Sequence, residues 1–183
     1  MSEPTWRDVA ALAAAGGIAV QPIGATEQHG PHLPLTTDAL IATALAGAAV
    51  RRLAQQADAG EPEVPPVWLL PTLAYGKSPE HAGFAGTVTL SSRTILALCI
   101  DLARSVAAAG IDTLVFVNAH GGHPAALELV GRDIRDDTGV FAVSVHAPSL
   151  PPHQRLLPAL PRTAPDPHSD FYEPSLLPAI HPD

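Results

Sequence analysis

Short apolar runs alternate along the chain with longer segments in which apolar residues recur at helical spacing. The predicted strands are 18–23, 67–70, 113–118 and 140–145, and the predicted helices are 6–15, 38–56, 94–109 and 124–135. The strand segments are apolar on both faces, which is typical of strands in a parallel sheet that is covered by helices on each side. The pattern therefore predicts an α/β fold, a three-layer α/β/α sandwich with a mainly parallel sheet.

Turn and capping residues refine this picture. Thr36-Thr37-Asp38 and Ser91-Ser92 supply side chains that can cap the following helices, and Gly110 is placed to end the third helix. Segment 88–90 is predicted to pair as a short strand. Ligands of open α/β sheets gather beyond the carboxyl ends of the strands, so we expect functional residues in the loops that follow the four main strands.

Length and composition limit the kinds of protein, partner and cellular location that fit this chain. The 183 residues suit one domain, 1–183, in which the proline-rich segment 148–183 is expected to be an exposed arm and the C-terminus is short. A net charge of −8 with singly scattered basic residues argues against a nucleic-acid partner. The chain shows neither a membrane-spanning apolar run nor a signal-peptide layout, so we expect a cytoplasmic protein with no membrane partner. Cys99 is the single cysteine, which excludes an internal disulfide.

Two clusters of acids and histidines follow predicted strands. In the first, Glu27 and His29 are two positions apart and can address one point from extended backbone, and Asp38 lies at the start of the next helix. A carboxylate in that position can bridge two cations about 3.5–4 Å apart. The second cluster, 118–123, contains His120 and two glycines that allow a close backbone approach or a positive φ.

A third cluster lies in the proline-rich segment, where Asp166-Pro167-His168 is followed by Glu173. Imidazole and carboxylate without thiolate match Zn²⁺, Mn²⁺ or Fe²⁺ in a hydrolytic role. The isolated histidines His146, His153 and His181 are interpreted as ordinary solvated or hydrogen-bonded side chains. One edge of the sheet would bring the clusters together, and this convergence predicts a metal site.

Three strings resemble the motifs of a known family, the creatininases: IGATEQHGPHLPLTTD, AYGKSPEHAGFAGTVTL and VFVNAHGGH. They occur in order from Ile23 to His123 and span more than half of the chain. Within this family the strings are nearest to the peptidases of the mycofactocin system. The resemblance implies a metal-dependent amidohydrolase with two divalent metal ions per chain, a small-molecule or modified-peptide substrate, and a homo-oligomer, with a hexamer favoured.

The resemblance also implies roles for individual residues. Glu27, Asp38 and His120 would hold one metal, and His29, Asp38 and Glu173 the other. His168 would shuttle a proton beside the scissile bond, so that His168 and Glu173 form the catalytic pair. Further motif positions would line or brace the site; these are His32, Glu80, His81, Gly121, Gly122 and His123.

Departures from the family pattern leave alternatives open. Relatives often have Asn where this chain has His123, which could donate a hydrogen bond behind the ligands or act as an extra ligand. The segment around Glu173 keeps only the His-to-Glu spacing of the family's last motif. The favoured reaction is removal of a short C-terminal peptide from a modified precursor. The alternatives are hydrolysis of creatinine or another cyclic amide, and a non-catalytic metal-binding or assembly module.

Overall fold

The computed structural model describes residues 3–61 and 63–150, and within them the predicted alternation of strands and helices is confirmed. The strands are β1 (Ile18–Ile23), β2 (Val67–Leu69), β3 (Thr113–Asn118) and β4 (Phe141–His146). The helices are α1 (Trp6–Ala14), α2 (Thr37–Asp58), α3 (Ser92–Ala108) and α4 (Pro124–Thr138). Two short 3₁₀ turns cover Pro79–His81 and Ala147–Ser149.

The four strands form one parallel sheet in the order β2-β1-β3-β4. Ile23 pairs with Asn118, and Asn118 pairs with His146, so the last residues of β1, β3 and β4 lie in one row. The loops that follow these strands therefore leave the sheet side by side. The predicted α/β class is confirmed, and the edge at which ligands of such sheets gather carries the first two of the three predicted clusters.

Apolar packing fixes the helices on the sheet. The larger core cluster joins β1 and β3 to α3 and α4, and Phe116, Leu114 and Ile134 are among its fully buried members. A smaller cluster around Ile41 and Ala42 places α2 near the end of β3. Apolar burial on this scale is the main favourable contribution to folding, and it holds α2 in place beside the site.

The helix ends show which capping predictions are right. Ser91 Oγ accepts a hydrogen bond from the Thr94 N–H at 3.1 Å, as predicted, and Gly110 has a φ of +84° just after α3. The predicted side-chain cap at Thr36 is wrong, because Thr36 makes no capping hydrogen bond. Thr37 instead donates its hydroxyl to the Pro34 carbonyl at 2.7 Å, which closes the turn that leads into α2.

Segment 88–90 is not a regular strand, contrary to the prediction. Val88 forms an isolated antiparallel bridge with Thr26, and Thr89 forms a parallel bridge with Gly76. Two bridges to different partners cannot make a continuous ladder, but they tie the loop after β1 to the loop after β2. Nearly all of the predicted arm, including His168 and Glu173, lies outside the described residues. Among the helices that are described, none is long and apolar enough to cross a bilayer.

Candidate metal centre

Two carboxylates and two imidazoles meet at the carboxyl edge of the sheet. Glu27 and His29 come from the loop after β1, Asp38 comes from the first turn of α2, and His120 follows β3. Each of the four is about one per cent exposed. Burial of a charged group is costly unless it is paired or coordinates a metal, so the four groups must compensate one another or share a cation.

The backbone fixes which nitrogen of His29 faces the acids. Its Nδ1 lies 3.1 Å from the Glu27 carbonyl oxygen, and because a carbonyl only accepts, Nδ1–H is the donor. Its Nε2 then points to Asp38 Oδ1 at 3.1 Å and lies 3.9 Å from Glu27 Oε1. Anchoring one nitrogen to a carbonyl and presenting the other is the usual arrangement of a metal-binding histidine.

His120 has the same arrangement with the nitrogens exchanged. Its Nε2–H donates to the Lys77 carbonyl at 2.9 Å, which leaves Nδ1 toward the carboxylates. Nδ1 lies 2.9 Å from Asp38 Oδ2 and 3.3 Å from Glu27 Oε1. The two oxygens of Asp38 therefore face two different imidazoles, Oδ1 toward His29 and Oδ2 toward His120.

The donor atoms fit a cation better than they fit one another. Asp38 Oδ2 and His120 Nδ1 are close, yet their contact lacks hydrogen-bond geometry, and neither atom has another hydrogen-bond partner among the described residues. Ligands about 2.0–2.2 Å from a tetrahedral zinc ion lie about 3.3–3.6 Å from each other. The 3.3 Å separation found here falls in that range, and the 3.1 and 2.9 Å separations are slightly shorter. Glu27, His29 and Asp38 also place one donor atom each within 4.8 Å of the others.

Ionisation in the cluster follows from the same contacts. Burial acts to lower the pKa of His120, but the carboxylates of Asp38 and Glu27 outweigh it and raise the pKa to about 10. Burial acts to raise the pKa of Asp38 and of Glu27, but the close contact and charge of His120, joined by His29 at Asp38, hold both pKa values below their usual range. A proton on His120 thus supplies positive charge that a metal ion could supply in its place.

Two glycines allow the chain to approach the cluster. A Cβ on Gly24 would lie 2.4 Å from the Ala39 nitrogen and 2.6 Å from the Asp38 carbonyl carbon, so only glycine lets β1 end against the first turn of α2. A Cβ on Gly122 would lie 2.4 Å from His120 Nε2 and 2.5 Å from the Lys77 oxygen. The predicted close approach at the paired glycines is therefore found at Gly122.

His81 stands beside this cluster with its tautomer fixed by Gln28. The Gly30 N–H donates to Gln28 Oε1 at 2.9 Å, so the Gln28 Nε2–H donates to His81 Nδ1 at 3.0 Å. Nδ1 of His81 therefore accepts this hydrogen bond. Glu27, Glu80 and His81 have donor atoms within 4.8 Å of one another, although Glu80 is exposed.

Comparison with known proteins agrees with this geometry. The sequence model of the creatininase family, described as creatinine amidohydrolase, matches residues 2–183. The chain belongs to the creatininase family. One solved creatininase superposes on it with a TM-score of 0.74 at 29% identity, and the match covers 99% of this chain and 71% of that one. A second, titled a mutant creatininase of Zn-Zn type, has a TM-score of 0.73 at 28% identity and is covered to 72% by 99% of this chain. Another, with a TM-score of 0.72 at 28% identity, also over 99% and 72%, is titled creatininase Mn.

Curated relatives of this creatininase-family chain carry two names. A mycofactocin precursor peptide peptidase of Mycobacterium ulcerans is 46% identical over 115 residues, which cover 62% of this chain and 44% of the relative. The creatinine amidohydrolase of Pseudomonas putida is 33% identical over 126 residues, covering 66% and 44%. The matched parts thus span less than half the length of these relatives. The predicted family resemblance is confirmed.

The remaining predicted site residues differ in burial and in their contacts. His123 is fully buried, and both of its ring nitrogens are hydrogen-bonded within the protein, one to the Lys77 N–H and the other to Asn118 Oδ1. A Cβ on Gly121 would meet nothing within 4 Å, and His32 is exposed. The roles of His168 and Glu173 stay predictions because both residues lie outside the described ranges.

Sequence reasoning missed the side chains that hold the cluster from behind. Asn118 is completely buried: its Oδ1 accepts from the His120 N–H and from His123 Nδ1–H, and its Nδ2 donates to the His120 carbonyl and to His146 Nδ1. His146, interpreted from sequence as an ordinary histidine, thus joins the network. Buried Ser78, whose hydroxyl lies 3.5 Å from His120 Nε2, was also unassigned. The signal for Asn118 and His146 was their position at the predicted ends of strands.

Proposed function

We propose that this chain carries the metal centre of an amidohydrolase that cleaves a C–N amide or peptide bond and uses two divalent cations, Zn²⁺, Mn²⁺ or Fe²⁺. One observation carries the proposal: the two oxygens of Asp38 face two imidazoles, each anchored by its other nitrogen to a backbone carbonyl. A carboxylate between two such histidines is the arrangement expected of a bridging ligand in a two-metal hydrolytic site.

The proposed ligand sets share that carboxylate. Glu27, Asp38 and His120 would hold one cation, and His29, Asp38 and Glu173 the other. Bound in this way, the cations would lower the pKa of a water and stabilise the oxyanion that forms on the amide carbon. The burial of the four described ligands supports the proposal, because a low-dielectric site strengthens electrostatic interactions.

The residues of the chain divide the remaining work. The Glu27 and Lys77 carbonyls orient His29 and His120. His168 would deliver a proton to the leaving nitrogen, which is a general-acid step. The same proposal includes a single domain, 1–183, with an arm at 148–183. It also includes assembly as a homo-oligomer, for which a hexamer is favoured.

We further propose a modified precursor peptide as the substrate, cleaved near its C-terminus. The relatives at 46% identity are named mycofactocin precursor peptide peptidases, which supports a peptide over a small ring. Two Trp and two Tyr in the whole chain offer little material for an aromatic cage around a cationic ring such as creatinine. Creatinine remains the alternative to be assayed, because a relative at 33% identity is a creatinine amidohydrolase.

The test combines metal analysis with variants of the ligands. The purified 183-residue chain should contain up to two equivalents of zinc, manganese or iron after expression in metal-supplemented medium. Asp38→Asn should lose most of both equivalents, because a neutral amide bridges cations poorly, and Glu27→Gln should lose about one. Glu128→Gln is the matched control, since Glu128 is an exposed acid on α4. Unchanged metal content in Asp38→Asn would contradict the ligand assignment.

Activity is assayed on both substrate classes. Release of a C-terminal fragment from a modified precursor peptide in the presence of Zn²⁺, Mn²⁺ or Fe²⁺ would support the peptidase proposal, and conversion of creatinine would support the cyclic-amide alternative. Stoichiometric metal without hydrolysis of either substrate would instead identify a non-catalytic metal-binding module.

A further inference from the structure

His123 occupies an unusual place for a histidine that faces no solvent and binds no acid. It is completely buried at the start of α4, and its ring packs edge-on against His120 with the centroids 4.6 Å apart. The space for the ring exists because residue 76 is a glycine, whose Cβ would otherwise lie 2.6 Å from His123 Nε2.

The hydrogen bonds of His123 lead to Lys77. The Lys77 N–H donates to His123 Nε2 at 3.1 Å, and the carbonyl of the same residue accepts from His120 Nε2–H at 2.9 Å. Both backbone polar groups of Lys77 are therefore held by histidines of the 120–123 turn. Lys77 thus connects the side chain of His123 to the side chain of His120.

The second ring nitrogen of His123, Nδ1, contacts Asn118, which is also hydrogen-bonded to the backbone of His120. Because Nε2 accepts, Nδ1 carries the proton and donates to Asn118 Oδ1 at 3.2 Å. The same oxygen accepts from the His120 N–H at 3.0 Å. Because Nε2 accepts from a backbone N–H, it carries no proton, and the His123 ring is neutral in this arrangement.

We propose that His123 is a positioning residue that acts on the metal centre through Lys77: it holds the Lys77 carbonyl where it accepts from His120 Nε2 and so keeps Nδ1 of His120 directed at Glu27 and Asp38. This inference rests on the proposed function, because the expected consequence of losing His123 is weaker metal binding. Partners that orient a metal-binding histidine in this way change metal affinity by about 10- to 100-fold when they are removed.

Two substitutions separate this role from simple packing. The amide of glutamine reaches about as far as Nε2 of histidine, whereas the amide of asparagine reaches only about as far as Nδ1. His123→Gln can therefore keep the bond from the Lys77 N–H, while His123→Asn can keep only the bond to Asn118. His123→Ala keeps neither. Val130→Ala is the control for lost packing, because Val130 lies in α4 and is a buried member of the larger apolar core cluster.

The experiment measures zinc affinity by competition with a chromogenic chelator and the absorption spectrum with Co²⁺, alongside urea unfolding. We expect His123→Ala and His123→Asn to bind zinc about 10- to 100-fold more weakly and to shift the Co²⁺ spectrum. His123→Gln should restore affinity to within about threefold of the parent, and Val130→Ala should lose stability without losing affinity. Retained affinity in His123→Asn with loss in His123→Gln, or parental affinity in all three variants, would overturn the proposal.

Crystal structures of the metal-free variants test the geometry independently of any metal. The distance between His120 Nε2 and the Lys77 oxygen should stay near 2.9 Å in His123→Gln and lengthen beyond hydrogen-bonding range in His123→Asn. If the parent chain binds no metal, the proposed function fails, and these distances alone then decide whether His123 positions His120. An unchanged distance in His123→Asn refutes the role.

Discussion

Replacing Gly24 by alanine should damage the metal centre without changing any of its ligands. The added Cβ would lie 2.4 Å from the Ala39 nitrogen and 2.6 Å from the Asp38 carbonyl carbon, both of which are backbone atoms. To reach ordinary contact at 3.4 Å, the first turn of α2 would have to retreat by about 1 Å, a typical overpacking strain. Asp38 moves with that turn, so its oxygens leave both imidazoles.

The magnitude follows from two effects. Overpacking costs about 1–3 kcal/mol of the free energy of unfolding. A displacement of about 1 Å would lengthen the 3.1 Å separation between Asp38 Oδ1 and His29 Nε2 to about 4 Å, too long for both atoms to bind one cation well. We therefore expect zinc affinity to fall by at least about tenfold, on the scale of disturbed metal-ligand support.

Urea unfolding and zinc competition, run on the same preparations, measure the two effects. Gly83→Ala is the matched control, because a Cβ there would meet nothing within 4 Å and Gly83 does not have a positive φ. That substitution should be neutral or stabilise by up to about 1 kcal/mol through the unfolded state. If Gly24→Ala equals Gly83→Ala in both assays, the close approach of β1 and α2 does not determine where Asp38 lies.

Two further predictions concern His120. Gly122→Ala would place a methyl group against the hydrogen bond from His120 to Lys77 and should lower the free energy of unfolding in urea by about 1–3 kcal/mol. Gly121→Ala is the control: its Cβ has open space, so the free energy of unfolding should stay within about 1 kcal/mol of the parent. Equal losses in the two variants would contradict the prediction. Because the pKa of metal-free His120 is raised to about 10, the proton is bound below that pH and zinc must displace it. Apparent zinc affinity should therefore rise about tenfold per pH unit between about pH 7 and 9, and calorimetric titrations should show the release of about one proton per bound zinc ion. A zinc affinity that does not change with pH would refute the assignment of His120 Nδ1 as a metal ligand.

Most of the fold could be predicted from local patterns. Apolar runs of strand length and helical periodicity depend on neighbouring residues alone, and within the described residues they located β1 to β4 and α1 to α4 to within a few residues. The exception was segment 88–90, whose partners are Thr26 and Gly76. Pairing with residues from two separate loops leaves no periodic signal in the segment itself.

The sequence by itself determined that Glu27, His29, Asp38 and His120 would meet, because each follows a strand or opens the next helix and parallel strands end at one edge. Only the tertiary structure decided how they meet. The nitrogen that His120 presents depends on the Lys77 carbonyl, 43 residues away, and the role of His123 depends on Lys77 and on the space left by Gly76. Side-chain orientation in a buried site is set by partners distant in sequence, and no local pattern encodes their distances.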